Sequence, residues 1–192
     1  MTEKKKQTSW GGVADWYNDL LSGDDTYQSQ VILPNLLRLV TPRGKKVLDI
    51  ACGQGFFSKY FVKEGATEVV GVDISAELIA KAEASPDGAK FFTAPADNLT
   101  PVKDGTFDVA TIVLALQNIK EMKAAVSEAY RALKPGGEFV IVLNHPCFRI
   151  PKSSTWGFDE NQGVQFRRVD GYGRPFETKI DMTPGKTEGR KG

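Results

Sequence analysis

The sequence predicts an α/β chain built on a mostly parallel sheet with helices on both faces. Three observations carry that reading. Short runs that are apolar on both faces recur at 46–51, 68–73, 90–94, 106–115 and 138–144. Between most of them lie stretches with apolar residues at three- and four-residue steps, the helical period. Turn signals mark the changeovers, with Asp104-Gly105 before the fourth run and Pro135-Gly136-Gly137 before the fifth. Strands apolar on both faces that alternate with helices make a parallel sheet covered on two sides. Right-handed crossovers then wind it doubly, into a Rossmann-like core over residues 44–145.

Each element has its own local reason. Residues 1–12 are polar, and "VADWYNDLL" (13–21) then has helical spacing until "SGDDT" breaks it. "QVILPNLLRLV" (30–40) is again helical, with Pro34 opening or kinking it. These form an N-terminal helical lid or cap over 1–43. "KVLDIA" is the first strand, and "GFFSKYFVKEG" the next helix, ended by Gly65. "EVVGVD" is the second strand, and Ser75 is placed to cap "AELIAKAEA". "KFFTA" and "TFDVATIVLA" are the third and fourth strands. A helix through "EMKAAVSEAYRAL" carries Met122, Ala125, Val126, Ala129, Tyr130 and Leu133 on one stripe, and "EFVIVLN" is the fifth strand. Residues 146–192 change character, being rich in Gly, Pro and charge. They are expected to be an irregular extension, on the substrate side or in a dimer contact, with two strand-like runs, "GVQFRRV" and "FETKI".

Composition narrows the function classes. A net charge of +1 disfavours a broad electrostatic grip on nucleic acid or on an anionic membrane. No run approaches the roughly 20 apolar residues of a bilayer span, and the charged N-terminus is unlike a secretion signal. Two cysteines and one histidine offer neither a disulfide framework nor a zinc spacing. The expectation is a cytoplasmic, metal-free protein with a small-molecule partner.

In a doubly wound sheet, ligands bind beyond the carboxyl ends of the strands. Four stretches arrive there: Asp49 to Gly55, Asp73, "APADNL" (94–99) and "LALQN" (114–118). Gly53 and Gly55 permit tight turns and close approach of a ligand. The dinucleotide pattern G-x-G-x-x-G is incomplete, because Phe56, Phe57 and Ser58 follow Gly55. Asp49 beside the turn repels a pyrophosphate at short range and welcomes an ammonium group. A carboxylate at Asp73 suits a ribose diol. An amino-acid ammonium, a ribose and an adenine without phosphate describe S-adenosylmethionine. A nicotinamide oxidoreductase is disfavoured by Asp49 and by the want of a substrate domain.

The runs "VLDIACGQGFF", "VVGVDIS", "GTFDVATIVLALQNI" and "RALKPGGEFVIVLNHP" resemble, in order and spacing, the motifs of class I S-adenosylmethionine-dependent methyltransferases, most nearly the type 11 branch. The resemblance implies that Asp49 orients the methionyl ammonium, directly or through water. It implies that the backbone from Ala51 through Gly53 to Gly55 passes beside methionine and ribose, that Asp73 holds the ribose hydroxyls, and that Ile74 packs on adenine. The family commonly has an acid and then a small residue in its third motif. Pro95-Ala96 stand there, so Ala96 backbone and Asp97 are expected to take the adenine amino group. Leu114 and Gln117 would close over the sulfonium side. Family members usually finish with a further helix and two strands that are not found here, so the sheet is expected to be shortened at its C-terminal side.

The implied reaction is in-line methyl transfer to a small acceptor, with S-adenosylhomocysteine as product. The alternative is a cofactor-binding scaffold without turnover. His145, after the fifth strand, has the pKa for a general base, although a lone histidine before proline is also a common structural residue. Cys147 is not in the context of a covalent nucleophile. Trp16, Tyr17 and Tyr27 are expected to form a lid and an aromatic wall for the acceptor, or else to dock a surface helix. A sheet ending on the fifth strand invites pairing with another copy, so a homodimer through that edge or through the tail is expected.

Overall fold

A computed structural model describes residues 25–84, 88–145 and 153–174. The chain divides into two compact units, Met1–Leu143 and Asn144–Gly192.

In the first unit, a single turn of π-helix (Gln28–Ile32) runs into α1 (Leu33–Leu39). Pro34 stands in the first turn of α1, directly after the π-helical turn, so the helical path runs on through it. The remaining elements alternate as β1 (Lys46–Ile50), α2 (Phe56–Lys63), β2 (Glu68–Asp73), α3 (Ala76–Glu83), β3 (Lys90–Thr93), β4 (Phe107–Val113), α4 (Met122–Ala132) and β5 (Leu133–Val142). The five strands form one parallel sheet in the order β3-β2-β1-β4-β5. This is the doubly wound architecture read from the sequence. Helix ends also follow local chemistry. Ser75 Oγ accepts from Leu78 N at 3.3 Å to cap α3, and Gly65 turns the chain after α2 with φ +87°.

Register explains where the core sits. Side chains alternate along a strand, so Val47 of β1 and Val109 and Val113 of β4 face Ile32, Leu33, Leu36, Phe57 and Phe61 on one side. Leu48, Ile50, Val70, Val72, Ala110 and Ile112 face Ala94, Leu99, Val102, Ala129 and Ala132 on the other. Phe91 of β3 lies so close to Gly55 and Gly71 that a Cβ there would come within 2.7 and 2.6 Å of its ring. Gly55 also has φ +79°, which favours glycine independently. These glycines therefore seat the start of α2 and the middle of β2 against an aromatic ring.

The stripe read on α4 is corrected. Ala125, Ala129 and Ala132 are buried, whereas Met122, Val126 and Tyr130 are exposed, Tyr130 by 82%. Small residues take the positions where this helix meets the sheet, and Leu133, the last of the stripe, opens β5 and packs against the core.

In the second unit, β6 (Ser154–Asp159) and β7 (Val164–Val169) form an antiparallel hairpin. The run "GVQFRRV" is thus a strand, but its partner is Ser154–Asp159, which the sequence reading left irregular. Phe166 stacks over Gly157, and the Arg167 guanidinium lies 5.0 Å from the Trp156 ring centroid. "FETKI" lies outside the described residues.

Candidate active site

The strand order reverses between β1 and β4, and the crevice at such a switch point is where ligands sit in open α/β sheets. Both strands end there in a residue held in the left-handed region: Ala51 has φ 57° and Leu114 φ 54°. They are the two non-glycine residues with positive φ among the described residues. Each such conformation costs about 1–2 kcal/mol for a residue with a Cβ, and strain of this kind gathers at binding sites.

The turn after β1 is fastened to β2. Cys52 N donates to Val72 O at 3.1 Å, and Gly55 N to Cys52 O at 3.0 Å. Asp73, ending β2, accepts from Gly53 N at 2.8 Å through Oδ2 and from Ser75 N at 2.9 Å through Oδ1. A carboxylate offers about four lone-pair sites, and backbone N–H groups of Gly53, Ser75 and Ile74 use some of them, so acceptor capacity remains for a further ligand such as a ribose hydroxyl. Burial raises the Asp73 carboxyl above its ordinary range, opposed by the backbone N–H groups that it accepts from. The Cys52 thiol is pushed well up by burial and then by the Asp49 and Asp73 charges, so it behaves as a small buried apolar group and not as a nucleophile.

Asp49 is placed differently from the simplest form of the expectation. It is 1% exposed, in the middle of the sheet, in register with Gly71 of β2 and Thr111 of β4. Ser58 Oγ of α2 donates to its Oδ2 at 2.6 Å, and Thr111 Oγ1 to its Oδ1 at 3.1 Å. Burial raises its pKa from 3.8 to about 6, opposed by these two hydroxyls and reinforced by the charge of Asp73. Asp49 thus ties α2, β1 and β4 together beneath the glycine turn. Ser58 and Thr111, both fully buried, were not singled out in the sequence. The signal available was a hydroxyl at a position of the apolar pattern, in a helix and a strand that pack on β1.

Gln54, between the two glycines, was also passed over. Its Oε1 is buried without a hydrogen-bond partner among the described residues, and a buried acceptor without a donor costs about 1–3 kcal/mol. An ammonium-bearing ligand in the turn is the kind of group that would satisfy it.

The remaining predicted residues lie on the neighbouring loops. Ile74 is half-buried after Asp73, and Ala96 and Asp97 are half-buried after β3. Gln117 is exposed, its Nε2 donating to Leu114 O at 2.6 Å. Leu114 N donates to Val142 O at 2.8 Å, which fixes the end of β4 against β5. The described part of the chain therefore gathers Asp49, Ala51, Gly53, Gly55, Asp73, Ile74, Ala96, Asp97, Leu114 and Gln117 at the carboxyl end of one sheet. His145 belongs to the second unit. Tyr27 is exposed just before the π-helical turn, and Trp16 and Tyr17 lie outside the described residues. Among the described residues no group of three or more His, Cys, Asp or Glu side chains is arranged to hold a metal, and no helix is long and apolar enough to cross a membrane.

Two buried carboxylates around a glycine turn make an electronegative cradle, suited to a cationic amino-acid nucleoside and unsuited to a pyrophosphate. Fold and site together define a class I S-adenosylmethionine-dependent methyltransferase core. Comparison with known proteins gives the same answer: the methyltransferase domain family model matches residues 48–141, and the chain belongs to that family. It is 33% identical over 159 residues to an uncharacterised methyltransferase of Synechocystis, covering 78% of this chain and 70% of that one. It is 33% identical over 135 residues to a demethylmenaquinone methyltransferase of Renibacterium salmoninarum, covering 70% of this chain and 55% of the relative. A solved S-adenosylmethionine-dependent methyltransferase from Mesorhizobium loti aligns with a TM-score of 0.65 at 29% identity, covering 77% of this chain and 66% of that one. The chain spans about half the length of the demethylmenaquinone methyltransferases that it matches.

Proposed function

We propose that this chain binds S-adenosylmethionine at the carboxyl end of the sheet and transfers its methyl group to a small-molecule acceptor. The observation that carries the reading is the double use of Asp73. It fastens the glycine turn through Gly53 N–H, and its remaining acceptor capacity suits a ribose hydroxyl. When bound, the cofactor supplies an electrophilic methyl group on a sulfonium. The protein's share is position and desolvation. Asp73 takes the ribose hydroxyls, Ile74 packs on adenine, and Ala96 and Asp97 read its amino edge. The strained Ala51 and Leu114 bring backbone close on the two sides of the crevice, and Gln117 holds Leu114 in place. Gln54 Oε1 is the acceptor for the ammonium, with Asp49 supporting the turn from below rather than touching the ligand.

Several matched relatives are named demethylmenaquinone methyltransferase, which supports a quinone as the acceptor class to try first. It is supplied reduced, because an electron-rich ring carbon is the nucleophile that a sulfonium methyl requires. In this reading His145 removes the acceptor's proton, and Trp16, Tyr17 and Tyr27 wall the acceptor. The test is methyl transfer from radiolabelled S-adenosylmethionine, first to a demethylated quinol and then to a metabolite pool. Labelled product is expected, and His145→Ala is expected to lower kcat at least about 100-fold with cofactor affinity retained. Tight cofactor binding with no labelled product from any acceptor would assign the chain to the scaffold class instead.

A further inference from the structure

The loop between β3 and β4 bears Ala96 and Asp97, yet it has no regular structure of its own. Its first part is held by Ala94 N, which donates to Asp73 O at 2.9 Å, and by Asn98 N, which donates to Pro95 O at 3.0 Å; its second part is held from α4. Arg131 donates through Nη2 to Leu99 O at 3.1 Å and through Nη1 to Val102 O at 2.9 Å. Glu128, one helical turn earlier, accepts from Leu99 N at 2.7 Å through Oε2. The two side chains are joined as a fork, Nε to Oε1 and Nη2 to Oε2, each at 2.8 Å. A third anchor, Asp104, accepts from Nη1. Between the grips, Val102 N donates to Leu99 O at 2.9 Å, and the Leu99 and Val102 side chains are buried in the core.

Both partners are tuned by this arrangement. The Arg131 hydrogen bonds hold the Glu128 carboxyl below the usual range, and Glu128 and Asp104 raise the guanidinium above its own. Solvent reaches both side chains, at 29% and 21% exposure, so the ion pair itself is a weak source of stability. Its geometry is the informative part. A planar guanidinium satisfies two backbone carbonyls and two carboxylates at once, and a lysine has no equivalent fork.

We propose that Arg131 and Glu128 are positioning residues for adenine recognition: they set the loop that presents Ala96 and Asp97 while touching no ligand themselves. The proposal rests on the cofactor reading above. Its consequence is that loosening the fork blurs the reading of the purine's amino edge, leaving the ribose and methionine contacts of Asp73 and the glycine turn in place.

The experiment compares two ligands by calorimetry, S-adenosylhomocysteine and S-inosylhomocysteine, in which an oxo group replaces the adenine amino group. Wild type is expected to prefer the first by about tenfold or more, the worth of a hydrogen bond of about 1.4 kcal/mol. Arg131→Met is expected to narrow that preference at least about threefold, Arg131→Lys to recover it only in part, and Glu128→Gln to act in the same direction. A purely structural role would lower Tm and leave the preference ratio unchanged, and that result overturns the proposal. So does a wild type that binds both ligands equally. If Arg131→Met does not fold, Glu128→Gln decides alone, since it keeps the guanidinium and its carbonyl contacts. Failure of wild type to bind either ligand would overturn the cofactor reading itself, a different outcome from an unchanged ratio.

Discussion

Asp49 shows how a side chain legible in type gains partners that the sequence does not display. Its acidity beside a glycine turn disfavours a pyrophosphate from sequence alone, and in the fold each of its oxygens accepts a buried hydroxyl, from Ser58 and from Thr111. The consequence is a pH dependence. Its folded-state pKa of about 6 stands above the ordinary 3.8, so the native state holds the proton more tightly than the unfolded chain. Asp49 therefore costs nothing below pH 4, and its cost grows as pH rises, complete above about pH 6. The size is on the order of 3 kcal/mol, from 1.36 kcal/mol per pKa unit. Asp49→Asn has no such proton to lose, and its amide can still bond both hydroxyls. The stability difference between variant and wild type should accordingly move in the variant's favour between pH 4 and pH 7, read by urea denaturation at each pH. A difference independent of pH would show that the carboxyl is not perturbed.

Among the elements, the five strands were legible as apolar runs between turn residues, although Pro135-Gly136-Gly137, read as the turn before the fifth, lies within β5 at a shift in its register with β4. Helix α4 was only half legible. Spacing identifies a helical face, but the choice of alanines for burial depends on how close the helix comes to the sheet, which no periodicity records. The fork of Arg131 and Glu128 was invisible for a related reason: its partners are backbone atoms about 30 residues away. The hairpin was half found, since β7 alternates clearly and β6 contains a glycine that weakens the pattern. Strand β5 carries a prediction. It is the last strand of the sheet, with its outer side unpaired among the described residues, and an unpaired edge is a template for another chain. We infer self-association through this edge or through residues 146–192. Sedimentation equilibrium should return a dimer, and a monomer at all concentrations would refute the inference.

At the scale of the whole chain, fold and donor were readable because four motifs fall in order at the carboxyl ends of four strands, and a parallel sheet admits few topologies. The acceptor was not readable, because those four motifs describe the donor's side of the crevice and carry no chemistry particular to one acceptor. The central claim is that the cradle of Asp73, Gly53 and Gln54 holds a phosphate-free cationic nucleoside. Calorimetric titration of the full chain with S-adenosylmethionine, S-adenosylhomocysteine and NAD tests it most directly, with Asp73→Asn alongside. Binding of the first two without NAD is expected, weakened in Asp73→Asn by about 1.5–3 kcal/mol, the worth of hydrogen bonds to a charged group. Binding of NAD in preference, or affinity for S-adenosylhomocysteine unchanged by Asp73→Asn, would contradict it.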